Sequence, residues 1–197
     1  MSIKLHIGCF DHVVTGWINT DITPHIWIAR VPGAADILHR ARMMSEDRHE
    51  SHRSGNFRQV RYQNLSRRFR FNDGSVDAIY SSHVFEHLSR RNALKAATES
   101  FRVLRPGGIF RVAVPDLDDF ISGYNPDQSD AWFSDLMEAA QTGNNRHQWM
   151  YNSTSMKNLL NLAGFQEVRR ADFRMGQCPD LEMIESRPHS LFMEAWK

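Results

Sequence analysis

Polar or small residues stand at the ends of five apolar segments, in an order typical of a ligand-binding edge. The segments alternate with helical patterns, which predicts an α/β domain with a mostly parallel sheet. The residues at their ends are Gly8, Asp21, Asn64, Ser81, Ser82, His83, Pro115 and Asp116. Parallel strands bring such residues to one edge, where open α/β sheets bind ligands. We call this edge the rim.

The residue types at the rim suit a nucleotide-like ligand. Gly8 has no Cβ, so a ligand can approach its backbone closely. Asp21 lies one strand further on, and its carboxylate can accept hydrogen bonds from two ribose hydroxyls. The amide of Asn64, beyond the third strand, can contact an adenine amino group. Each residue alone is typical of an ordinary turn, so the prediction depends on their combined order.

Seven strands and at least two long helices must position these residues. The predicted strands are Lys4–Gly8, Trp17–Ile22, Phe57–Gln63, Val76–Ser81, Ile109–Val114, Gln166–Arg174 and Ser190–Trp196. Apolar residues repeat every three or four positions over Arg90–Leu104, which predicts a helix there. A second helix is predicted over Ser153–Ala163, with Ser153 as its N-cap and Gly164 as a left-handed C-cap. No helix is predicted over 175–189, so the last strand is expected to be antiparallel.

Length and composition predict one ordinary globular domain. The chain has 197 residues, of which 41% are apolar and 24% charged, and a single domain over 1–197 is expected. A formal net charge of +1 favours neither nucleic acid nor a membrane surface as a partner. Two cysteines, Cys9 and Cys178, are too few for a disulfide framework. No apolar run is long enough to span a membrane, so a cytoplasmic location is expected.

One segment is strongly basic. It contains nine arginines, Arg40, Arg42, Arg48, Arg53, Arg58, Arg61, Arg67, Arg68 and Arg70. The acidic residues among them are Glu46, Asp47 and Glu50. A solvated helix face with local ion pairs explains such a run, and a helical insertion over about 30–56 is expected. The functional alternative is a surface that binds an anionic acceptor, since the arginine fork matches phosphate or carboxylate.

Four segments resemble the successive blocks of a known family. They are LHIGC…GWINTDI, FNDGSVDAIYSSHVFEHL, FRVLRPGGIFRVAVPDL and LLNLAGFQEVRR. Together they resemble S-adenosylmethionine-dependent methyltransferases with the seven-strand Rossmann-like fold, and look closest to small bacterial sugar and surface-polysaccharide methyltransferases. The resemblance implies a mostly parallel sheet with an antiparallel last strand, helices on both faces, and S-adenosylmethionine as the cofactor. It implies methyl transfer to a small-molecule or glycan-precursor acceptor.

The resemblance also implies a role for each rim residue. Gly8 and Cys9 would line the methionine and ribose side of the cofactor, and Asp21 would hold the ribose hydroxyls. Asn64 would lie near the adenine, with Leu65 beside its ring. Residues near the sulfonium would be Ser82 and His83.

Two features depart from the family pattern. Phe10 stands where a glycine is usual, and only the residues Cys9 to Gly16 join the first two strands. A parallel crossover usually takes about 10–12 residues or more, so the first helix should be reduced to about one turn. A hairpin is the alternative, and it would remove the rim. Because a Cβ disfavours positive φ, we expect Gly8 alone to allow close approach and the Phe10 ring to cover the cofactor.

Transfer to a hydroxyl would call for a base, and histidine has a suitable pKa. The candidates are His83, at a strand end, and His147, in a polar segment. His87 suits packing or capping at least as well. The sequence leaves open whether oxygen, nitrogen or carbon is methylated, and leaves the oligomeric state open too.

Other functional classes remain as alternatives. A methyltransferase-like module that binds the cofactor without turnover is motivated by Phe10 and Asn64. Dinucleotide-dependent oxidoreduction is disfavoured because no G-x-G-x-x-G precedes a full helix. Nucleic-acid binding through the arginine segment lacks a recognised motif. No metal is expected, because the ten histidines show no convincing ligand spacing.

Overall fold

A seven-stranded mixed sheet organises the part of the protein that the computed structural model describes, residues 2–134 and 146–197. Its strands are β1 (Lys4–Ile7), β2 (Ile18–Asp21), β3 (Arg61–Tyr62), β4 (Val76–Ser82), β5 (Leu104–Val114), β6 (Glu167–Ala171) and β7 (Leu191–Trp196). Their order is β3-β2-β1-β4-β5-β7-β6. β7 is antiparallel to both of its neighbours, and the remaining pairs are parallel. The predicted antiparallel last strand is confirmed.

Helices surround this sheet. They are α1 (His25–Ile28), α2 (Ala34–Arg40), α3 (Glu46–Arg53), α4 (Arg90–Val103), α5 (Leu117–Ser122), α6 (Ser153–Leu162) and α7 (Leu181–Ile184). Short 3-10 turns cover Asn56–Arg58, Phe85–His87 and Pro126–Gln128, and residues 129–134 are helical as well. The basic segment begins at the end of α2 and includes α3. A search of the described helices found none with the length and apolar character that crossing a membrane requires.

Three local predictions were wrong, each because a polar cap or a left-handed residue redirects the chain. Gly55 has φ +78°, which starts a 3-10 turn and buries Phe57 in the core, so β3 is shorter than predicted. The N-cap of α6 is Asn152, because its side chain accepts the Ser155 N–H at 3.0 Å. The last connection, predicted without a helix, contains the one-turn α7.

Alternating strand residues are buried on opposite faces of the sheet. Ile79 and Phe110 belong to the large core cluster that includes residues of α4 and α6. Their neighbours Ala78, Tyr80 and Ile109 belong to a smaller cluster with residues of α7. This period of two is what a strand buried on both faces requires. The sheet is therefore held firmly enough to position the residues at its rim.

A buried ion network joins the smaller cluster to the sheet. Arg111 on β5 is fully buried, and its guanidinium donates to Glu185 and Glu194, each with one contact of 3.1 Å. It also donates to the backbone carbonyls of Asp172 and Met175, at 2.7 and 2.9 Å. Because each nitrogen of the guanidinium donates a hydrogen bond, the network fixes the β6–β7 connection against the sheet.

Replacing Arg111 should unfold the protein far more readily than replacing an exposed arginine. Arg111→Met leaves two buried carboxylates without their cation, so we expect a loss of about 3–5 kcal/mol in the free energy of unfolding. The control is Arg169→Met, because the Arg169–Glu167 pair is exposed and such pairs contribute about 0–1 kcal/mol. Urea unfolding measures both, and equal losses would contradict the role of the network.

Candidate active site

β1 and β2 are parallel neighbours although no full helix joins them. Leu5 pairs with Ile18 and Ile7 pairs with Thr20, in parallel register. The connection over 8–17 contains turns and bends but no helical residue. The shortened first crossover is thus confirmed, and the hairpin alternative is wrong because the two strands run in the same direction.

Left-handed residues at both ends of this short connection, Gly8 and Phe10 at its start and Gly16 near its end, turn the chain. Gly8 has φ +71° and Phe10 has φ +49°. The expectation that Phe10 avoids positive φ was wrong, and the compensating contact is a hydrogen bond. The Phe10 N–H donates to Oδ2 of Asp21 at 2.9 Å, while the Thr23 N–H donates to Oδ1 at 2.7 Å. The carboxylate that was predicted to hold ribose therefore also holds the loop in its left-handed conformation.

Asp21 keeps acceptor capacity beyond these two bonds. Burial raises the pKa of its carboxyl group, and the backbone N–H groups of Phe10, Thr23 and Ile22 oppose that increase. An ionised carboxylate offers about four acceptor positions, so it can accept from a further donor.

The ring of Phe10 packs between the core and the basic segment. It meets Phe57 edge-on with ring centroids 5.4 Å apart, and His25 edge-on at 5.8 Å. The guanidinium of Arg48 lies 4.2 Å from the ring centroid, and its Nη1 donates to Oδ2 of Asp11 at 3.0 Å. One of the nine arginines thus reaches the rim. That Phe10 also covers a cofactor stays a prediction.

Three further predicted residues lie near Asp21 or in the core behind it. Cys9 is buried, and burial raises the pKa of its thiol. Leu65 is buried in the large core cluster. Asn64 lies two residues after β3, whose last residue Tyr62 pairs with Asp21. Oδ1 of Asn64 accepts the Ser66 N–H at 2.8 Å. Their cofactor roles stay predictions, and contacts from Cys9 and Leu65 would fall chiefly to backbone atoms.

The end of β4 lies against the end of β1. Ser82 ends β4, and a Cβ placed on Gly8 would come within 2.3 Å of Cγ2 of Val84. His83 has φ +53°, and its N–H donates to the Ala113 carbonyl at 2.9 Å. Its Nε2 lies 3.0 Å from Oγ of Ser190. His83 therefore stands at the rim, as predicted, in a fixed orientation.

Three histidines, including both predicted bases, lie around a residue that the sequence analysis missed, Glu86. Nδ1 of His83 lies 3.2 Å from Oε1 of Glu86, and Nε2 of His87 lies 3.9 Å from the same oxygen. The rings of His87 and His147 have centroids 5.0 Å apart. Glu86 is only 1% exposed. The signal was present in the spacing His-x-x-Glu-His of SSHVFEHL, which places three polar side chains in one tight turn.

This cluster holds several buried polar atoms that lack a partner. Among residues 2–134 and 146–197, both carboxylate oxygens of Glu86, Nδ1 of His147 and the hydroxyl of Tyr151 have no hydrogen-bond partner. Burial lowers the pKa of His147, and the Glu86 carboxylate opposes the decrease. Burial raises the pKa of Tyr151 to about 12. Such a concentration of unpartnered buried groups is uncommon in a folded protein.

A cavity of about 510 Å³ lies beside α5. Its lining residues are Ile121, Tyr124, Ser129, Asp130, Trp132 and Phe133. The helix α5 begins directly after the rim residue Asp116, which caps it by accepting the Asp118 N–H at 3.0 Å. The lining is mostly apolar and aromatic, which is the character of many small-molecule sites.

Comparison with known proteins points in the same direction as the geometry. The family model described as a methyltransferase domain matches residues 33–112, which include β3, β4 and most of β5. A SAM-dependent methyltransferase from Archaeoglobus fulgidus is 13% identical with TM-score 0.56, covering 100% of this chain and 86% of its own. The chain has a methyltransferase fold. A search of curated proteins gave no match.

Two other solved methyltransferase-fold structures agree. A possible histamine N-methyltransferase from Thermotoga maritima is 15% identical with TM-score 0.55, covering 100% of this chain and 83% of its own. PigF, solved with S-adenosylhomocysteine (SAH), is 14% identical with TM-score 0.54, and this chain covers 50% of it. The seven-strand Rossmann-like methyltransferase fold that the sequence predicted is confirmed.

Gly8 should be far less tolerant of a side chain than another left-handed glycine. Gly33 has φ +75° with nothing within 4 Å of an added Cβ, so Gly33→Ala is a matched control. The left-handed conformation alone costs an alanine about 1–2 kcal/mol. Gly8→Ala adds the clash with Val84, for which we expect a further loss of about 1–3 kcal/mol in urea unfolding.

A second variant tests the cause of that loss. Val84→Ala removes the methyl groups that the new Cβ would meet, so it should recover part of the stability in the Gly8→Ala background. Equal losses for Gly8→Ala and Gly33→Ala would contradict the close packing of the two loops.

Proposed function

We propose that this protein transfers a methyl group from S-adenosylmethionine to a hydroxyl of a small molecule or glycan precursor. The family-model match and the fold indicate S-adenosylmethionine as the cofactor. The observation that carries the proposal is the Asp21 carboxylate, which keeps acceptor capacity beside the left-handed Gly8 loop. Gly8, Cys9, Phe10, Asp21, Asn64, Leu65, Ser82 and His83 would form the cofactor site.

Bound S-adenosylmethionine supplies an electrophilic methyl group on a sulfonium. The protein then has to align an acceptor oxygen with that methyl group and exclude water. His83 is the proposed base: it would take the hydroxyl proton while the Glu86 carboxylate, 3.2 Å from Nδ1, stabilises the resulting imidazolium. His147 is the second candidate, and it lies in the same cluster around Glu86.

A binding module without turnover is the less favoured alternative. Cofactor binding alone would account for the rim around Asp21 and Gly8. It would give no reason for three histidines, His83, His87 and His147, to lie around a buried glutamate after the end of β4. The histidine–glutamate cluster therefore supports an enzyme.

The basic segment supports an anionic acceptor. Arg48 lies against the Phe10 ring and beside Asp11, so one guanidinium of α3 is placed at the rim. Others in the segment form exposed pairs, such as Arg53 with Glu50. We propose that Arg48 helps to bind a phosphate or carboxylate group of the acceptor, and that most of the remaining arginines are solvated.

Asp21→Ala should weaken S-adenosylmethionine binding about tenfold or more. Each lost charge-assisted hydrogen bond costs about 1.5–3 kcal/mol, and 1.4 kcal/mol is a factor of ten. The matched control is Asp77→Ala, because Asp77 also accepts a backbone N–H and an arginine but lies at the opposite end of β4. Calorimetry measures affinity and urea unfolding measures stability.

The two readouts separate the two roles of Asp21. Both variants should lose stability, while only Asp21→Ala should lose affinity. Unchanged affinity in folded Asp21→Ala would remove the ribose assignment, and no binding to the wild type would overturn the cofactor proposal.

Arg48→Ala should raise KM for an anionic acceptor about tenfold or more, because a charged hydrogen bond to the acceptor is lost. The control is Arg53→Ala on the same helix, which should leave KM unchanged. Methyl transfer is measured on a panel of phosphorylated and neutral sugars at two salt concentrations. The effect of Arg48→Ala should shrink at high salt because ions screen exposed charges. A neutral preferred acceptor with no salt dependence would contradict this assignment and favour the aromatic cavity beside α5.

A further inference from the structure

The carboxylate of Glu86 is buried, and in the described part of the chain no donor contacts it in hydrogen-bond geometry. It is 1% exposed, and neither of its oxygens has a hydrogen-bond partner among residues 2–134 and 146–197. Nδ1 of His83 lies near Oε1 but outside hydrogen-bond geometry. Buried charges in proteins are paired or coordinate metals, because an isolated one is very costly. The carboxylate therefore calls for a cation.

The tautomer of His87 points to the same conclusion. Its Nδ1 lies 3.3 Å from the carbonyl oxygen of Arg146, and a carbonyl only accepts, so Nδ1 carries the proton. In the neutral imidazole, Nε2 is then a lone-pair donor to a metal, and it faces Oε1 of Glu86 at 3.9 Å. Two lone-pair atoms face each other at that distance most readily when a cation lies between them. Metal-binding histidines commonly donate their other N–H to a backbone carbonyl in this way.

His147 is held beside Glu86 and His87 by hydrogen bonds to their backbone carbonyls. The N–H groups of Gln148 and Trp149 donate to the carbonyl of Glu86 at 2.7 and 3.1 Å. The side chain of Gln148 donates to the carbonyl of His87 at 2.7 Å. These bonds hold His147 against the 3-10 turn of Glu86 and His87, with its Nδ1 buried and unpartnered.

We infer that Glu86, His87 and His147 bind a divalent transition-metal ion. One potential ligand atom from each lies within 4.8 Å of the other two. Two imidazoles and one carboxylate suit Zn²⁺, Fe²⁺ or Ni²⁺ and leave open positions for an exogenous oxygen ligand. The ion neutralises the Glu86 carboxylate and satisfies the lone pairs of both histidines. His83 is not one of these ligands, and the contact of its Nδ1 with Oε1 of Glu86 orients its ring.

The position of the site suggests its use, and this step rests on the proposed function. The turn that carries Glu86 and His87 follows β4, and Val84 just before it touches the Gly8 loop. An ion there would bind the acceptor oxygen and lower the pKa of its hydroxyl, as metals do for bound water. His83 would take the hydroxyl proton, and the acceptor would reach the methyl group as a more nucleophilic oxygen.

The test is metal binding by the full chain after treatment with a chelator, using Zn²⁺ in calorimetry and Co²⁺ in absorption spectroscopy. We expect one ion per chain at this site, with affinity reduced at least about tenfold in Glu86→Gln and in His147→Ala. The matched control is His49→Ala, because His39, Glu46 and His49 form a second, more exposed cluster of possible ligands. This control should keep the high-affinity ion and the Co²⁺ spectrum.

Three outcomes overturn the inference: no binding of either ion, equal affinity in wild type and Glu86→Gln, or loss of the ion only in His49→Ala. Far-UV circular dichroism confirms that each variant is folded, and the partly exposed His147 provides a variant that leaves the buried Glu86 intact.

S-adenosylmethionine titration of the chelated wild type separates the two proposals. Cofactor binding without metal binding would sink the metal site alone, and metal binding without cofactor binding would sink the methyltransferase proposal alone.

Discussion

The rest of the site depends on the hydrogen bond between the Phe10 N–H and the Asp21 carboxylate. β1 and β2 must run parallel over a connection too short for a full helix, and the chain turns through left-handed Gly8 and Phe10. A phenylalanine with positive φ is strained, and the carboxylate at the end of β2 compensates by accepting its N–H. Gly8, at the start of the same loop, lies against Val84 in the turn after β4. A cofactor role for Asp21 would thus add to a structural one.

The basic segment takes over the packing that a first crossover helix would provide. Phe57 follows α3 and packs on Phe10, while Arg48 of α3 covers the exposed side of that ring. The segment therefore packs against the loop after β1 as well as carrying charge. This explains why the basic segment contains a fully buried residue, Phe57.

The sheet was predictable because its strands are apolar runs bounded by turn residues, and the antiparallel β7 followed from a connection without a long helix. The rim positions of Gly8, Asp21 and His83 followed from where the strands end. The left-handed Phe10 was not predictable, since its compensation comes from Asp21, eleven residues away in the chain. Glu86 was missed because it lies in a tight turn, where helical or strand periodicity carries no information, and its partner His147 is distant in sequence.

The most direct test of this account is a crystal structure of the protein with S-adenosylhomocysteine. The account predicts that the ribose hydroxyls donate to Asp21 within hydrogen-bond distance, about 2.5–3.0 Å, while the Phe10 N–H keeps its bond to Oδ2. The homocysteine sulfur should face the end of β4 near His83. A ribose bound elsewhere would contradict the dual role of Asp21. So would a carboxylate that binds the ribose only after losing its hydrogen bond from the Phe10 N–H.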